Sequence, residues 1–203
     1  MKIIEQRQAP NPRRVRIFLA EKGLDVPFEQ IDIMKQEHRL PEFAGKNPMQ
    51  QVPVLILDDG TAISESVAIC RYFEETNPNP PLFGRDARDK ALVEMANRRM
   101  EYGFLFRVAQ AFRHSHPAMA VLEKPQIKEW ADANRARLAD MFVLIDQQLA
   151  QHPFIAGDHY TIADITALVA IDFMRPIKYE RPPELKHVAR WYGEVSLRPS
   201  AKA

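Results

Sequence analysis

Residues 1–33 read MKIIEQRQAPNPRRVRIFLAEKGLDVPFEQIDI, and their order decides the fold class. Ile3 and Ile4 open a short strand, which Ala9-Pro10-Asn11-Pro12 interrupts. Val15, Phe18, Leu19 and Lys22 then recur at helical spacing as far as Gly23. Asn11 reads as the N-cap of that helix, Pro12 as its first residue and Gly23 as its C-terminal stop. Phe28, Ile31 and Ile33, set among Glu29, Gln30 and Asp32, predict a second strand. Strand, helix and strand within about thirty residues have the length of a βαβ crossover, which is right-handed and joins parallel strands.

Further along, Val52-Pro53-Val54-Leu55-Ile56-Leu57 is an apolar, β-branched run, and Asp58-Asp59-Gly60 turns it into Thr61-Ala62-Ile63. This pattern predicts a β-hairpin. Ser64-Glu65-Ser66 precedes a helical segment carrying Val67, Ile69, Cys70, Tyr72 and Phe73, which ends before Asn77-Pro78-Asn79-Pro80-Pro81. Prolines cannot continue a helix and form a stiff spacer, so an α/β domain over residues 1–80 is expected to give way to a second domain over 86–203.

The second domain reads as all-α. One helix is predicted from Asp86 to about Phe112, carrying Leu92, Met95, Ala96, Met100 and Leu105. Another runs from Gln126 to Leu149, with Trp130, Leu138, Phe142, Ile145 and Leu149 on its inner face. Thr161 and Asp164 stand at N-cap and N3 spacing, and Tyr160 and Ile165 are placed as a hydrophobic staple. That helix is expected to reach Phe173, and a last one spans Pro183 to Val195.

Composition narrows the function. Lys plus Arg number 28 against 27 Asp plus Glu, a net charge of +1, so nothing favours nucleic acid or an anionic membrane as partner. With 46% hydrophobic and 27% charged residues the 203-residue chain reads as globular. Cys70 is the single cysteine, which excludes an internal disulfide or a cysteine zinc site and suits a reducing compartment. The start MKIIEQRQAP has no apolar leader, and no run approaches the ~18 apolar residues of a membrane span. A cytoplasmic location is the expectation.

Four places could carry chemistry. A helix N-terminus attracts anions, and Asn11 can add a side-chain donor there, although by itself it also reads as an ordinary cap. Pro53 can follow a cis peptide that leaves the Val52 main chain open to an extended peptide ligand, or it can simply begin an edge strand. Glu65 and Ser66 could hold the zwitterionic end of an amino acid, or merely cap a helix. Glu37-His38-Arg39 could meet a second carboxylate or be a solvated charge cluster. His114-Ser115-His116 has no accompanying carboxylate motif, so no metal is expected.

Taken in order, these segments resemble the cytosolic glutathione transferases. The resemblance rests on R-V-R-I-x-L-A-E-K-G (Arg14 to Gly23), E-H-R (Glu37 to Arg39), P-E-F-x-x-K-N-P-x-x-Q-V-P-V-L (Pro41 to Leu55), D-G-T-x-I-x-E-S (Asp59 to Ser66) and A-G-D-x-Y-T-I-A-D-I (Ala156 to Ile165). It implies a thioredoxin-like N-terminal domain, an all-helical C-terminal domain and a homodimer with one glutathione site per subunit. It implies that the Val52 main chain pairs with the cysteinyl unit ahead of a cis Pro53, and that Glu65 and Ser66 hold the γ-glutamyl end. His38 and Gln51 would meet the glycyl end or the nearby backbone, with Arg39 sharing that work.

The chain departs from the pattern where family members carry a Tyr, Ser or Cys near the end of the first strand, since the serine or cysteine position here is Ala9. Asn11 resembles the asparagine of T-P-N-type bacterial members and is expected to face the sulfur, with the helix end and a bound water. The second substrate, a hydrophobic electrophile, is expected between the domains near Tyr102, Phe106, Phe112, His114 and His116. Conjugation of glutathione is the implied reaction. Glutathione-dependent disulfide or peroxide reduction is the alternative, and a catalytically lapsed glutathione-binding or interaction module is the third reading.

Overall fold

The structure is a computed structural model that describes every residue from Met1 to Ala203. It divides into two compact units, Met1–Pro81 with Lys202–Ala203, and Leu82–Ala201.

In the first unit, β1 (Lys2–Glu5), α1 (Pro10–Lys22) and β2 (Phe28–Gln30) come first. A 3-10 turn (Glu37–Arg39), α2 (Pro41–Ala44), β3 (Val54–Ile56), β4 (Ala62–Ser64) and α3 (Ser66–Thr76) follow. The sheet has the order β2-β1-β3-β4, with β2 parallel to β1 and the other pairs antiparallel. Strand alternation separates the two faces. Ile4 and Val54 form a cluster with Phe43 of α2, joined by half-buried Ile31, Val52 and Ile56. Ile3 and Leu55 are fully buried on the opposite face.

The first helix begins one proline earlier than the sequence reading has it. Pro10 is its first residue and Ala9 is the N-cap (φ −75°, ψ 143°), so Asn11 is the second helical residue and its side chain makes no capping bond. Two facts about proline explain the difference. Its fixed φ suits the first helical position, and it drives the preceding residue into extended geometry, which is what an N-cap needs. At the other end Gly23 takes φ 64°, the left-handed stop that the sequence predicts. Lys22 is buried there, with its Nζ 2.5 Å from Glu74 Oε2 and donating to the carbonyls of Asn77 at 2.8 Å and Pro80 at 2.5 Å.

The second unit is helical: α4 (Ala87–Arg98), a π-helical segment (Arg99–Leu105), α5 (Phe106–Ser115), α6 (Lys128–Ala136), α7 (Leu138–Gln151), α8 (Ile162–Asp172) and α9 (Lys186–Val195). The predicted first long helix is continuous to Ser115, but its π segment is invisible to a pattern of apolar residues. Gly103 within that segment lies so close to α7 that a Cβ would stand 2.9 Å from Met141 Sδ. The predicted second helix breaks at Arg137, and Trp130 is not on an inner face. Trp130 is 41% exposed and donates to Gln110 Oε1 at 2.9 Å, while Ala131 and Asn134 are buried instead. Asn134 returns its side-chain amide to the Trp130 carbonyl at 2.9 Å, a competitor to regular helix just ahead of the break.

Every residue of α8 from Ile162 to Ile171 is buried, so this helix is the axis of the unit. Its N-terminus carries the capping box read from Thr161 and Asp164. Asp164 also reaches beyond that box. Its carboxylate accepts from the Ile155 N–H at 2.9 Å, the Thr161 N–H at 2.9 Å, the Thr161 hydroxyl at 3.2 Å and Trp191 Nε1 at 2.8 Å. Burial outweighs these donors and pushes the Asp164 carboxyl up to about 6 from 3.8.

A carboxyl raised on folding stabilises the fold fully below its unfolded value, and that contribution is lost as pH rises through the folded value. We expect the stability of the native protein relative to Asp164→Asn to fall by about 3 kcal/mol in all between pH 3 and pH 7, most of it between pH 4 and pH 6, and then to stay level. Urea denaturation of both proteins across that range measures it.

Candidate active site

Strand register decides where a site can form in the first unit. Ile4 pairs with Val54, Val54 with Ser64, and Glu5 with Gln30. The C-terminal ends of β1, β2 and β4 and the N-terminal end of β3 therefore open on one edge of the sheet. All the unit's candidate residues lie on chain that leaves or enters there: Asn11 after β1, His38 and Arg39 after β2, Gln51 to Pro53 before β3, Glu65 and Ser66 after β4. Four strands about 4.8 Å apart span roughly 14 Å, and an extended tripeptide measures about 10 Å. One such peptide can meet loops from several strands at once.

Asn11 is exposed at the second position of α1. Pro10 and Pro12 have no N–H, and the Arg13 N–H already bonds the Ala9 carbonyl at 3.3 Å. The Asn11 N–H is thus the remaining main-chain donor at this helix end. Its side-chain amide stands beside it, also without a protein partner.

Behind this end lies a charged network. Both oxygens of buried Glu5 are taken, one by Arg16 Nη1 at 2.5 Å and the other by Gln30 Nε2 at 2.7 Å. Burial pulls the Arg16 guanidinium below its ordinary range, while the Glu5 carboxylate opposes that shift.

The Val52–Pro53 peptide is cis, and Val52 lies outside the β3 ladder. Asn47, 1% exposed, steadies the approach to it. Its Nδ2 donates to the Gln51 carbonyl at 2.8 Å and its Oδ1 accepts from the Met49 N–H at 3.0 Å. The sequence reading missed Asn47, although the Asn47-Pro48 dipeptide is a turn signal. Gln51 itself is exposed, and Arg39 reaches Gln50 Oε1 at 2.8 Å. His38 is buried within its 3-10 turn.

Glu65 caps α3 with φ 69° and ψ 113°, a conformation that a side chain resists. Its carboxylate is exposed, and Ser66 is buried at the first helical position. The first bonded amide of α3 is that of Ile69, so the N–H groups of Ser66, Val67 and Ala68 remain at the helix end.

The second unit's candidates separate. Tyr102 and Phe106 are four residues apart on one helical face and are 62% and 46% exposed. His114 does not join them. It is buried, its Nδ1 accepts from the Ile127 N–H at 3.1 Å, and its Nε2 lies 3.8 Å from Glu123. His116 accepts from the Ala118 N–H at 3.3 Å and packs on Phe112 at 4.9 Å. A cavity of about 730 Å³ in this unit lies among α4, α7 and the chain before α8, and it holds none of these residues. No three His, Cys, Asp or Glu side chains stand together as metal ligands, and no helix is long and apolar enough to cross a membrane.

Comparison with known proteins gives the family and the fold. The glutathione S-transferase N-terminal domain matches residues 9–76, and the glutathione S-transferase C-terminal domain matches residues 128–194. The chain belongs to the glutathione S-transferase family. It is similar to glutathione S-transferase 2 of Saccharomyces cerevisiae, 37% identical over all of this chain and 88% of that protein. The crystal structure of Gtt2 from the same yeast superposes with a TM-score of 0.94, covering 100% of this chain and 99% of that one at 37% identity. A glutathione S-transferase domain-containing protein from Marinobacter aquaeolei superposes at 0.96, with 38% identity and coverage of 98% and 99%. The glutathione S-transferase fold of these relatives is the fold described above, a mixed four-stranded domain followed by a helical one.

The positive φ at Glu65 is a conformation that glycine adopts without cost. Glu65→Gly should raise the stability of the folded protein by about 1 kcal/mol, since glycine is also an acceptable N-cap. Equilibrium urea unfolding checks this, and an unchanged midpoint would mean that the conformation stores no strain.

Proposed function

We propose that this glutathione S-transferase binds glutathione along the strand-end edge of its first unit, stabilises the thiolate at the start of α1 and conjugates it to a hydrophobic electrophile. The observation that carries the reading is the convergence at one sheet edge of Asn11, the cis Val52–Pro53 segment and the amino end of α3. The Val52 main chain would pair with the cysteinyl unit. The open N–H groups of α3 with Ser66 would hold the γ-glutamyl carboxylate, and Glu65 its ammonium. His38, Arg39 and Gln51 would meet the glycyl end.

Magnitudes test the role of Asn11. A thiol of pKa ~8.5 is about 3% ionised at neutral pH, and lowering it by ~2 takes roughly 2.7 kcal/mol. A helix end supplies about 0.3–1 kcal/mol. A hydrogen bond to a charged sulfur adds about 1.5–3 kcal/mol. The helix end alone falls short, and with one donor it suffices. The thiol proton leaves to solvent, the sulfur forms a bond to the electrophilic carbon, and the leaving group departs with its electron pair.

Exposed Tyr102 and Phe106 offer an apolar surface suited to the electrophile. Exposed Leu92 and Met95 on α4, with Leu144 on α7, line one open cavity and form an apolar area suited to burial against a second copy, in keeping with a homodimer. Detoxification in the cytoplasm is the corresponding role.

Two measurements decide the reading. Turnover of chlorodinitrobenzene with glutathione is expected; turnover of hydroxyethyl disulfide alone would replace conjugation with reduction, and retention on glutathione resin with neither activity would leave a binding module. Asn11→Ala should raise the thiol pKa of the bound tripeptide by about 1–2, read from the ultraviolet thiolate absorbance. An unchanged titration would remove Asn11 from the mechanism.

A further inference from the structure

The three-residue loop Gln6-Arg7-Gln8 joins β1 to the N-cap of α1, and so it sets where Asn11 stands. Its central peptide is held from both sides. The Arg7 N–H donates to Gln30 Oε1 at 3.0 Å, and the Arg7 carbonyl accepts from Arg16 Nη2 at 2.7 Å. Gln30 belongs to β2 and Arg16 to α1; Gln30 gives its amide nitrogen, and Arg16 its second guanidinium nitrogen, to different oxygens of Glu5, the last residue of β1. A smaller turn, from the Ala9 N–H to the Gln6 carbonyl at 2.9 Å, closes the loop onto the N-cap. Arg16 lies on the same helix as Asn11, five residues on, or about 7.5 Å along the axis.

We propose that Glu5, Arg16 and Gln30 are positioning residues, a clamp on the Arg7 peptide that fixes the height and rotation of α1 so that Asn11 meets the sulfur. The proposal rests on the glutathione reading above.

Stability alone does not explain the clamp. Glu5 is fully buried and Arg16 is 8% exposed, and well-packed apolar residues in place of such a pair are often neutral or stabilising. A guanidinium is a rigid fork with five donors, and here it spans a carboxylate and a main-chain carbonyl at once. A lysine has one nitrogen in place of the two that reach Glu5 and Arg7 and no rigid fork to hold them apart, and an apolar residue makes neither bond. The reaction is sensitive to such placement, since a displacement of about 1 Å can cost on the order of a hundredfold in rate.

The test uses two mild variants of the whole chain. Arg16→Lys keeps a cation against Glu5 and gives up the Arg7 carbonyl. Gln30→Leu frees the Arg7 N–H and leaves the ion pair in place. Each should raise the thiol pKa of bound glutathione by about 1, corresponding to roughly a tenfold loss of thiolate well below that pKa. The Kd for S-methylglutathione, which has no proton to lose, should not change. Adding Arg16→Lys to Asn11→Ala should raise the pKa by less than Arg16→Lys does alone, because part of the clamp's effect runs through the Asn11 side chain.

A lower melting temperature with an unchanged thiol pKa would reduce the network to a structural role and overturn the proposal. A weaker S-methylglutathione Kd with an unchanged thiol pKa would overturn it as well. If the native protein binds neither glutathione nor S-methylglutathione, the underlying reading falls, and the clamp falls with it.

Discussion

The mixed register of the four-stranded sheet is the constraint on which the rest depends. β1 runs parallel to β2 and antiparallel to β3, and β3 is antiparallel to β4. That combination sends every loop of the first unit that carries a candidate site residue to one edge, whatever the loops contain. A slip of one residue would turn Ile4 and Val54 away from Phe43 and bring buried charge into the apolar cluster, so the core that stabilises the sheet also fixes the site.

The helix that borders this edge is secured at its middle and at its end by buried charge. Arg16, the seventh of its thirteen residues, joins Glu5, and Lys22 joins Glu74 and two carbonyls at its finish. Buried ion pairs are poor sources of net stability, because desolvation cancels most of their attraction. They are good at selecting one arrangement, because any other leaves a charge without its partner in an apolar environment. A helix held in this way moves little when a ligand arrives, and preorganised donors stabilise a developing anion without a cost of rearrangement.

Much of this could be read from residue order, and the misses have physical causes. The left-handed stop at Gly23, the hairpin around Gly60 and the capping box at Thr161 and Asp164 are local features, and each appears where the pattern puts it. The start of α1 differs from the pattern because two prolines compete for the first helical position, and an asparagine next to one of them looks like the cap. Trp130 lies off the inner face because a periodic pattern assumes one unbroken helix, and the break at Arg137 changes the phase. Gln30 and the Glu5–Arg16 pair carry no local signal of their roles, and Asn47 carries only that of a turn. Their partners are brought to them by strand pairing and by chain turning back, which only the folded chain displays.

In the proposed reading the departure at Ala9 has a different meaning from simple loss. An N-cap serine, threonine, asparagine or aspartate ordinarily accepts from the N–H of the second or third helical residue. In α1 the third residue is Pro12, so a polar side chain at position 9 would have only the Asn11 N–H to bind. Alanine has no such group, and it leaves that N–H open at an uncapped helix end, at a cost of about 1 kcal/mol in helix stability. With Pro10 and Pro12 lacking donors, the positive end of the helix acts through one residue, Asn11, by its main-chain and side-chain N–H groups together. In the proposed reading, a hydroxyl at position 9 would offer the sulfur a donor and also compete for this one. The alanine leaves both donors on Asn11.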